Sequence, residues 1–171
     1  DLTLAPGELT IVQGPTGSGK STLLAALAGL VPSYTGGTIS GRILLADPEG
    51  GGPIHLLAPG IAPRPAAAAG RVALVPQRVE HSFVAEDVRG ELASSLIQRG
   101  LGGADLDAQV TAALTRFGLR HLETRELTTL SAGEATRVGI AAAGLSNPRV
   151  LLLDEPVAGL DPDSVRAVEA L

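Results

Sequence analysis

The sequence has no cysteine and no methionine, and aromatic residues make up only 2% of its 171 positions. The lack of cysteine excludes disulfide bonds and thiolate metal sites. No run of five like charges occurs, and a formal net charge of −5 argues against a nucleic-acid-binding surface, because phosphate backbones require clustered Lys and Arg. The residues show no signal-peptide pattern and no apolar stretch of the roughly 18 residues that a membrane-spanning helix needs.

The composition that remains is that of a globular domain. Apolar residues make up 44% of the chain, and its length suits one domain with its own core better than two. The sequence opens at Asp1 in a strand-like run and stops at Leu171 in a helix-like one. We therefore expect residues 1–171 to form one domain that is a piece of a longer protein.

Strand-like runs recur towards both ends of the chain. They occupy residues 8–13, 38–46, 54–57, 72–75 and 150–153. The last run is an unbroken Val-Leu-Leu-Leu, which predicts a strand buried on both faces of a parallel sheet. Residues 47–70 are rich in Pro, Gly and Ala and predict a surface loop around the third run.

Helical periodicity dominates the middle of the sequence. Apolar residues repeat every four positions from Val84 to Leu96, and a second helical stripe begins at Leu106. Another helix is predicted just before the last strand, and a final one begins at Asp161, whose side chain would cap it. A helical block at about 84–130 between α/β segments predicts a parallel α/β core with an inserted helical subdomain.

A glycine-rich turn between the first strand-like run and the first helix matches the pattern G-x-x-x-x-G-K-S/T. Its glycines allow successive backbone N–H groups to converge on a β-phosphate, and the helix that follows directs its positive dipole end at the same anion. Lys20 is placed to pair with phosphate oxygens, and the Ser21 hydroxyl to bind Mg²⁺. A turn without a ligand is the alternative, but it does not explain the Lys-Ser pair. The phosphate-binding residues we predict are Gly14, Pro15, Thr16, Gly17, Ser18, Gly19, Lys20, Ser21 and Thr22.

Two carboxylates follow the last apolar run. Asp154 and Glu155 stand at the C-terminal end of a predicted parallel strand, which is the edge where ligands bind in open α/β sheets. Asp154 can hold the water shell of Mg²⁺, and Glu155 can act as general base for a water in line with the γ-phosphate. The alternative is that both acids only solvate the strand end or cap the next segment.

Residues 130–134, Leu-Ser-Ala-Gly-Glu, lie at the predicted start of a helix. Ser131 and Glu134 have the spacing of a capping box, which would start a helix in any protein. A capped helix N-terminus approached by small residues is also an anion site. The segment could therefore meet a phosphate that is bound by another molecule.

Together these motifs resemble the nucleotide-binding domain of ABC ATPases. Residues 14–21 resemble its Walker A motif, Gln77 its Q-loop, 130–134 its signature motif, 150–155 its Walker B motif and 158–161 its D-loop. The order and spacing agree over nearly the whole chain. The resemblance implies a RecA-like P-loop NTPase core with a parallel sheet, a small N-terminal β portion and the helical subdomain.

The resemblance also implies a reaction, the hydrolysis of ATP with Mg²⁺. In that reaction Glu155, Gln77 and Lys20 would be the catalytic residues. The metal ligands would be Ser21, Gln77 and Asp154.

The resemblance further implies a pair of domains with ATP held between them. Ser131, Gly133, Glu134 and Asp161 of one domain would contact the nucleotide held by the other. Other implied features are a transmembrane transporter subunit as partner, no nucleic acid, and a peripheral position on the cytoplasmic face of the cell membrane. The expected function is therefore that of the motor of an ABC transporter.

Three segments are similar to energy-coupling-factor importers, which take up vitamins and cobalt or nickel. They are residues 29–32, 36–41 and 83–88, although peptide importers share part of this pattern. The similarity favours an importer.

The sequence departs from the family pattern at three points. Ala132 replaces the first glycine of the signature pair, which adds a methyl group where the backbone should approach phosphate. No histidine follows the D-loop, and no aromatic residue that could stack on adenine precedes Gly14. We therefore expect this chain to bind ATP weakly and to hydrolyse it slowly.

Two alternatives to the transporter motor stay open. One is a non-transport ABC ATPase of DNA repair or translation; the repair type carries long coiled coils, and no heptads lie between Gln77 and Ser131. The other is a regulatory domain that binds nucleotide with weak turnover, which Ala132 allows.

Overall fold

The computed structural model describes residues 2–34, 36–47, 51–59 and 68–169. In this part of the chain the α-helices are Lys20–Leu27 (α1), Val88–Ile97 (α2), Gly103–Arg116 (α3), Ala132–Leu145 (α4) and Pro162–Glu169 (α5). The strands are Ile43–Leu45 (β1), Ile54–Leu57 (β2), Val72–Val75 (β3) and Val150–Leu153 (β4). Short 3₁₀ helices occupy Val79–Ser82, Arg120–Leu122 and Leu127–Thr129.

A parallel pair of strands, β3 and β4, underlies the candidate site. Val72 pairs with Val150 and Val75 with Leu153, so both strands end at the same edge. The parallel α/β core predicted from the sequence is confirmed. The expected burial of β4 on both faces is wrong, because Leu151 is 40% exposed and β3 is the only strand paired with β4 among the described residues.

The N-terminal part contains less strand than the sequence predicts. β1 and β2 form an antiparallel pair. Because β1 covers only residues 43–45, the predicted 38–46 strand is confirmed only there. Residues 8–13 form no strand, and Leu9 is 88% exposed. No described strand pairs with this run, and without a neighbouring strand its backbone groups remain hydrated. The predicted 47–70 loop contains β2, while its residues 48–50 and 60–67 lie outside the described residues.

The helical block packs on one face of α4. Buried side chains from α2, α3 and α4 form a common apolar core that excludes water, and fully buried members are Leu92, Leu96, Leu114, Leu119 and Val138. The predicted helical stripe therefore forms, but its helix begins at Val88 and not at Val84, which is exposed. Asp87 has extended backbone angles and its carboxylate accepts a hydrogen bond from the backbone N–H of Gly90, which fixes the start of α2.

A second core joins this helical layer to the sheet. Val75 at the end of β3, Val79, and Ile140 of α4 are buried together. α4 thus lies between the helical block and the sheet. At its N-terminal end, Ser131 and Ala132 are exposed. No helix in the described part of the chain is both long and apolar enough to cross a bilayer.

Candidate functional site

The glycine-rich turn leads directly into α1. Gly17 and Gly19 have φ values of 80° and 93°, in the left-handed region that side chains disfavour. Gly19 is the N-cap of α1 and provides no side-chain hydrogen bond to the helix. The first N–H groups of α1 are thus left without a side-chain cap, and such a helix N-terminus attracts anions.

Lys20, the first residue of α1, folds back over this turn. Its ammonium group donates hydrogen bonds to the backbone oxygens of Gly14 at 3.0 Å and Pro15 at 3.3 Å. It also lies 3.4 Å from a carboxylate oxygen of Glu155. Lys20 is the only lysine of the chain. A single ammonium group is therefore held at the turn, within reach of the end of β4.

The end of β4 brings the predicted carboxylates beside Gln77. The backbone N–H of Asp154, one residue past β4, donates to the oxygen of Val75 at the end of β3 at 3.0 Å. Glu155 then has a φ of 50°, an uncommon value for a residue with a side chain. The Gln77 side-chain amide donates to Glu155 at 3.2 Å. Three segments that are remote in sequence, at Lys20, Gln77 and Glu155, therefore meet at one edge.

The N-terminus of α4 is closed by a capping box. The Ser131 hydroxyl accepts a hydrogen bond from the Glu134 backbone N–H at 3.3 Å, and the Glu134 carboxylate accepts one from the Ser131 N–H at 2.8 Å. The N–H of Ser131, together with its hydroxyl and the charges of Arg125 and Arg137, lowers the pKa of Glu134 against a smaller effect of burial. The carboxylate predicted to contact nucleotide is thus bound to its own helix start.

Asp161 has a comparable local role at the start of α5. Its carboxylate accepts hydrogen bonds from the backbone N–H groups of Asp163 at 3.0 Å and Ser164 at 3.1 Å. The Ser164 hydroxyl donates to the other carboxylate oxygen at 2.6 Å, and this bond is the main cause of the lowered pKa of Asp161. The capping role predicted from Asp161-Pro162 is confirmed.

The sequence-predicted residues fall into two groups. Residues 14–22, which we predict to bind phosphate and call the phosphate cradle, reach the end of β4 through the contact of Lys20 with Glu155. Ser21 and Thr22 are exposed in the first turn of α1. Over the residues that the structure describes, no hydrogen bond or ion pair joins the α4 tip to this group. The α4 tip therefore forms a separate group from the residues around Lys20 and Glu155.

Sequence reasoning missed Glu91. It lies in α2 with only 6% exposure, and its carboxylate accepts hydrogen bonds from the backbone N–H groups of Val84 at 2.9 Å and Ala85 at 3.0 Å. This contact holds the chain between the Gln77 segment and the helical block. The sequence did carry a signal, because Glu91 is an acid in the first turn of a helix. The segment was interpreted only from its apolar residues.

Comparison with known proteins gives a consistent result. A family model described as ABC transporter matches residues 1–158. A putative ABC transporter ATP-binding protein of Streptomyces avermitilis is 37% identical over 171 residues, which is 100% of this chain and 29% of that protein. The energy-coupling factor transporter ATP-binding protein EcfA2 of Symbiobacterium thermophilum is 36% identical over 98% of this chain and 54% of its own.

A solved structure is similar in fold and sequence. It is that of CbiO1 from Clostridium perfringens, part of the ABC transporter complex CbiONQ, with a TM-score of 0.69 and 30% identity. The match covers 91% of this chain and 57% of that one. The chain thus spans no more than 57% of the length of any of these three proteins.

Proposed function

The chain belongs to the ABC transporter family, and on this premise we propose that it binds ATP with Mg²⁺ and hydrolyses the ATP to power transport across a membrane. The observation that carries this proposal is the convergence of Lys20, Gln77 and Glu155 at the carboxyl edge of β3 and β4. That edge is where open α/β sheets bind ligands. A bound ATP supplies the phosphoanhydride bond that breaks, and the protein supplies position and charge.

The cradle fits a triphosphate. The uncapped N-terminus of α1 offers backbone N–H groups and the positive end of the helix dipole. Lys20 already bonds the backbone oxygens of Gly14 and Pro15, so its ammonium group is held against the turn. Residues 14–22 would then surround the β- and γ-phosphates, with Lys20 neutralising the charge that develops on them.

The residues at the edge also fit Mg²⁺. Ser21, Gln77 and Asp154 offer hydroxyl, amide and carboxylate oxygens, which are the ligands Mg²⁺ prefers. In the described part of the chain no three acidic or histidine side chains form a metal site by themselves. This suits an ion that takes its remaining ligands from phosphate oxygens and water.

Glu155 is the residue we assign as general base. Its carboxylate sits between Gln77 and Lys20, and would accept a proton from the water that attacks the γ-phosphate. Gln77 would orient that water or contact the metal. A positioned base contributes about 10²–10⁴-fold to such a reaction.

The α4 tip is proposed to complete the site from a second copy of the domain. Ser131 and Ala132 are exposed at a helix N-terminus, where backbone N–H groups can bind the γ-phosphate of ATP held by the partner. Glu134 and Asp161 would then act by shaping the two loops that face the nucleotide, since their carboxylates are bonded locally. The closed state is a head-to-tail dimer with two ATP molecules.

The helical block at 84–130 is proposed to be the inserted subdomain that meets the membrane-spanning subunit. A recess of about 470 Å³ lies where this block joins the segment after Gln77. Its lining includes three acids and one aromatic residue, which are Glu80, Glu86, Glu126 and Phe83. A short basic segment with an apolar residue at its centre complements this surface, and we assign that segment to the membrane-spanning subunit, on the cytoplasmic face. Similarity to EcfA2 favours an importer of the energy-coupling-factor group.

The proposed function is tested by replacing Glu155 with Gln in the purified protein. Hydrolysis should fall by at least about 10²-fold, because the amide cannot accept the proton. ATP should then hold the variant as a dimer that gel filtration and light scattering detect. Asp105→Asn, at an exposed acid of α3, is the matched control and should behave as the wild type.

Either of two results would contradict the assignment. Unchanged turnover in Glu155→Gln would remove Glu155 as the base. Normal ATP binding without turnover or dimerisation in any variant would favour the regulatory domain over the transporter motor.

A further inference from the structure

The tip of α4 packs tightly against its own chain at one position. Gly133 is buried, and a Cβ atom placed on it would lie 2.4 Å from the Oγ and 2.6 Å from the Cβ of Ser164 in α5. Atoms in folded proteins do not pack so closely, so a side chain at residue 133 requires Ser164 to move. The space beside Gly133 is therefore occupied by Ser164.

Ser164 is not free to move away. Its hydroxyl donates to Asp161 at 2.6 Å, and its backbone N–H donates to the other oxygen of the same carboxylate. These bonds form the cap of α5, directly after the 158–161 segment. The position of Ser164 is thus fixed by Asp161.

We propose that Ser164 is a positioning residue, which sets the α4 tip (residues 131–134) against the 158–161 segment through its contact with Gly133. The inference rests on the proposed function, in which this tip binds the nucleotide of a second copy. Residue 133 is then glycine because Ser164 fills its side-chain space. The tip and the 158–161 segment move as one unit when two copies close.

A different explanation for Gly133 is close approach of phosphate to the backbone. The direction of the missing side chain favours packing, because a Cβ added to residue 133 would point at Ser164 of its own chain. The neighbouring residue, Ala132, carries its methyl group on the exposed side of the tip. In a helix Ala is favoured over Gly, so a buried Gly at residue 133 needs a packing reason of this kind.

The test is a set of substitutions made in the Glu155→Gln protein, where ATP-dependent dimerisation is measured by analytical ultracentrifugation. Gly133→Ala should weaken dimerisation at least tenfold and lower the melting temperature. Adding Ser164→Gly should restore dimerisation to within threefold. Ser164→Ala should not restore it, because the Cβ atom 2.6 Å away remains.

A matched control lies on the same helix. Gly139 is also buried, and a Cβ there would lie 2.1 Å from Val79. Gly139→Ala should lower the melting temperature, and Ser164→Gly should not rescue it. If Gly133→Ala proves insoluble, the comparison of dimerisation is replaced by a comparison of soluble expression. The Gly133→Ala/Ser164→Gly double variant should then be soluble.

The outcomes separate this inference from the proposed function. If Gly133→Ala is harmless, the positioning role is overturned, and close approach of phosphate does not explain the glycine either. If Gly133→Ala weakens dimerisation and Ser164→Gly rescues neither dimerisation nor melting temperature, the positioning role is overturned and phosphate approach explains the glycine. If the Glu155→Gln protein itself never dimerises with ATP, the proposed function fails. The rescue of the melting temperature still decides whether Ser164 holds Gly133 in that case.

Discussion

The ammonium group of Lys20 lies 3.4 Å from the carboxylate of Glu155, which joins the phosphate cradle to the end of β4. The Glu155 side chain is 41% exposed, and an ion pair of this kind adds little to stability. The importance of this ion pair is that it brings two functional groups together. The pair places the only lysine of the chain beside the proposed base.

Lys20→Ala should weaken ATP binding by about 10- to 100-fold, the loss expected for charge-assisted hydrogen bonds worth about 1.5–3 kcal/mol. Isothermal calorimetry measures the affinity. Arg116→Ala removes an exposed cation in α3 and should leave the affinity unchanged.

A second readout uses the single lysine. Lys20 is labelled with an amine-reactive reagent, and its peptide is followed by mass spectrometry. Labelling should slow when ATP is added, because the ammonium group then donates hydrogen bonds to phosphate oxygens and is shielded from the reagent. Equal labelling with and without ATP would contradict the cradle assignment.

Parts of this fold and site follow from the sequence because local chemistry dictates them. The Gly-rich turn before Lys20 and the acids after β4 occupy fixed offsets from a helix start and a strand end, and the structure has both elements. The strand predicted at residues 8–13 is wrong because a strand needs a neighbouring strand to pair with, and a local sequence pattern does not reveal that neighbour. Ser164 and Glu91 were missed for the same reason, since their partners are set by tertiary packing.

Ala132→Gly should strengthen ATP-dependent dimerisation and raise turnover several-fold. Ala132 is exposed at the first position of α4, and its methyl group limits how closely a partner's phosphate can approach the helix N-terminus. The same change should cost up to about 1 kcal/mol of stability, because Gly lowers helix propensity.

Ala104→Gly is the control for that helix cost. Ala104 is exposed in the first turn of α3, so its replacement should lower stability without changing turnover. If Ala132→Gly leaves both turnover and dimerisation unchanged, the exposed tip does not face a nucleotide.

The capping box of α4 should give a stability difference that depends on pH. The pKa of Glu134 is lowered, chiefly by the backbone N–H of Ser131, so folding favours the ionised form. The contribution is present above about pH 4.3, the ordinary pKa of Glu, and is lost as the pH falls through the lowered pKa. Urea unfolding of the wild type and Glu134→Gln should differ by about 0.5–1 kcal/mol at pH 6.

The same comparison at lower pH supplies the check. The amide of Glu134→Gln does not titrate, so the difference between the two proteins should shrink as the pH falls through the lowered pKa of Glu134. A difference that grows on acidification would mean that folding favours the protonated Glu134.

Glu91 should be the acid in the helical block that is most costly to remove. It is buried, and one carboxylate oxygen accepts from both Val84 and Ala85, so Glu91→Ala leaves two partly buried N–H groups without their acceptor. The loss should be about 1–3 kcal/mol in urea unfolding. Glu91→Gln keeps an oxygen acceptor and should cost less than half as much. If the two variants lose the same stability, the negative charge of Glu91 and not its acceptor oxygen holds the Val84–Ala85 backbone in place.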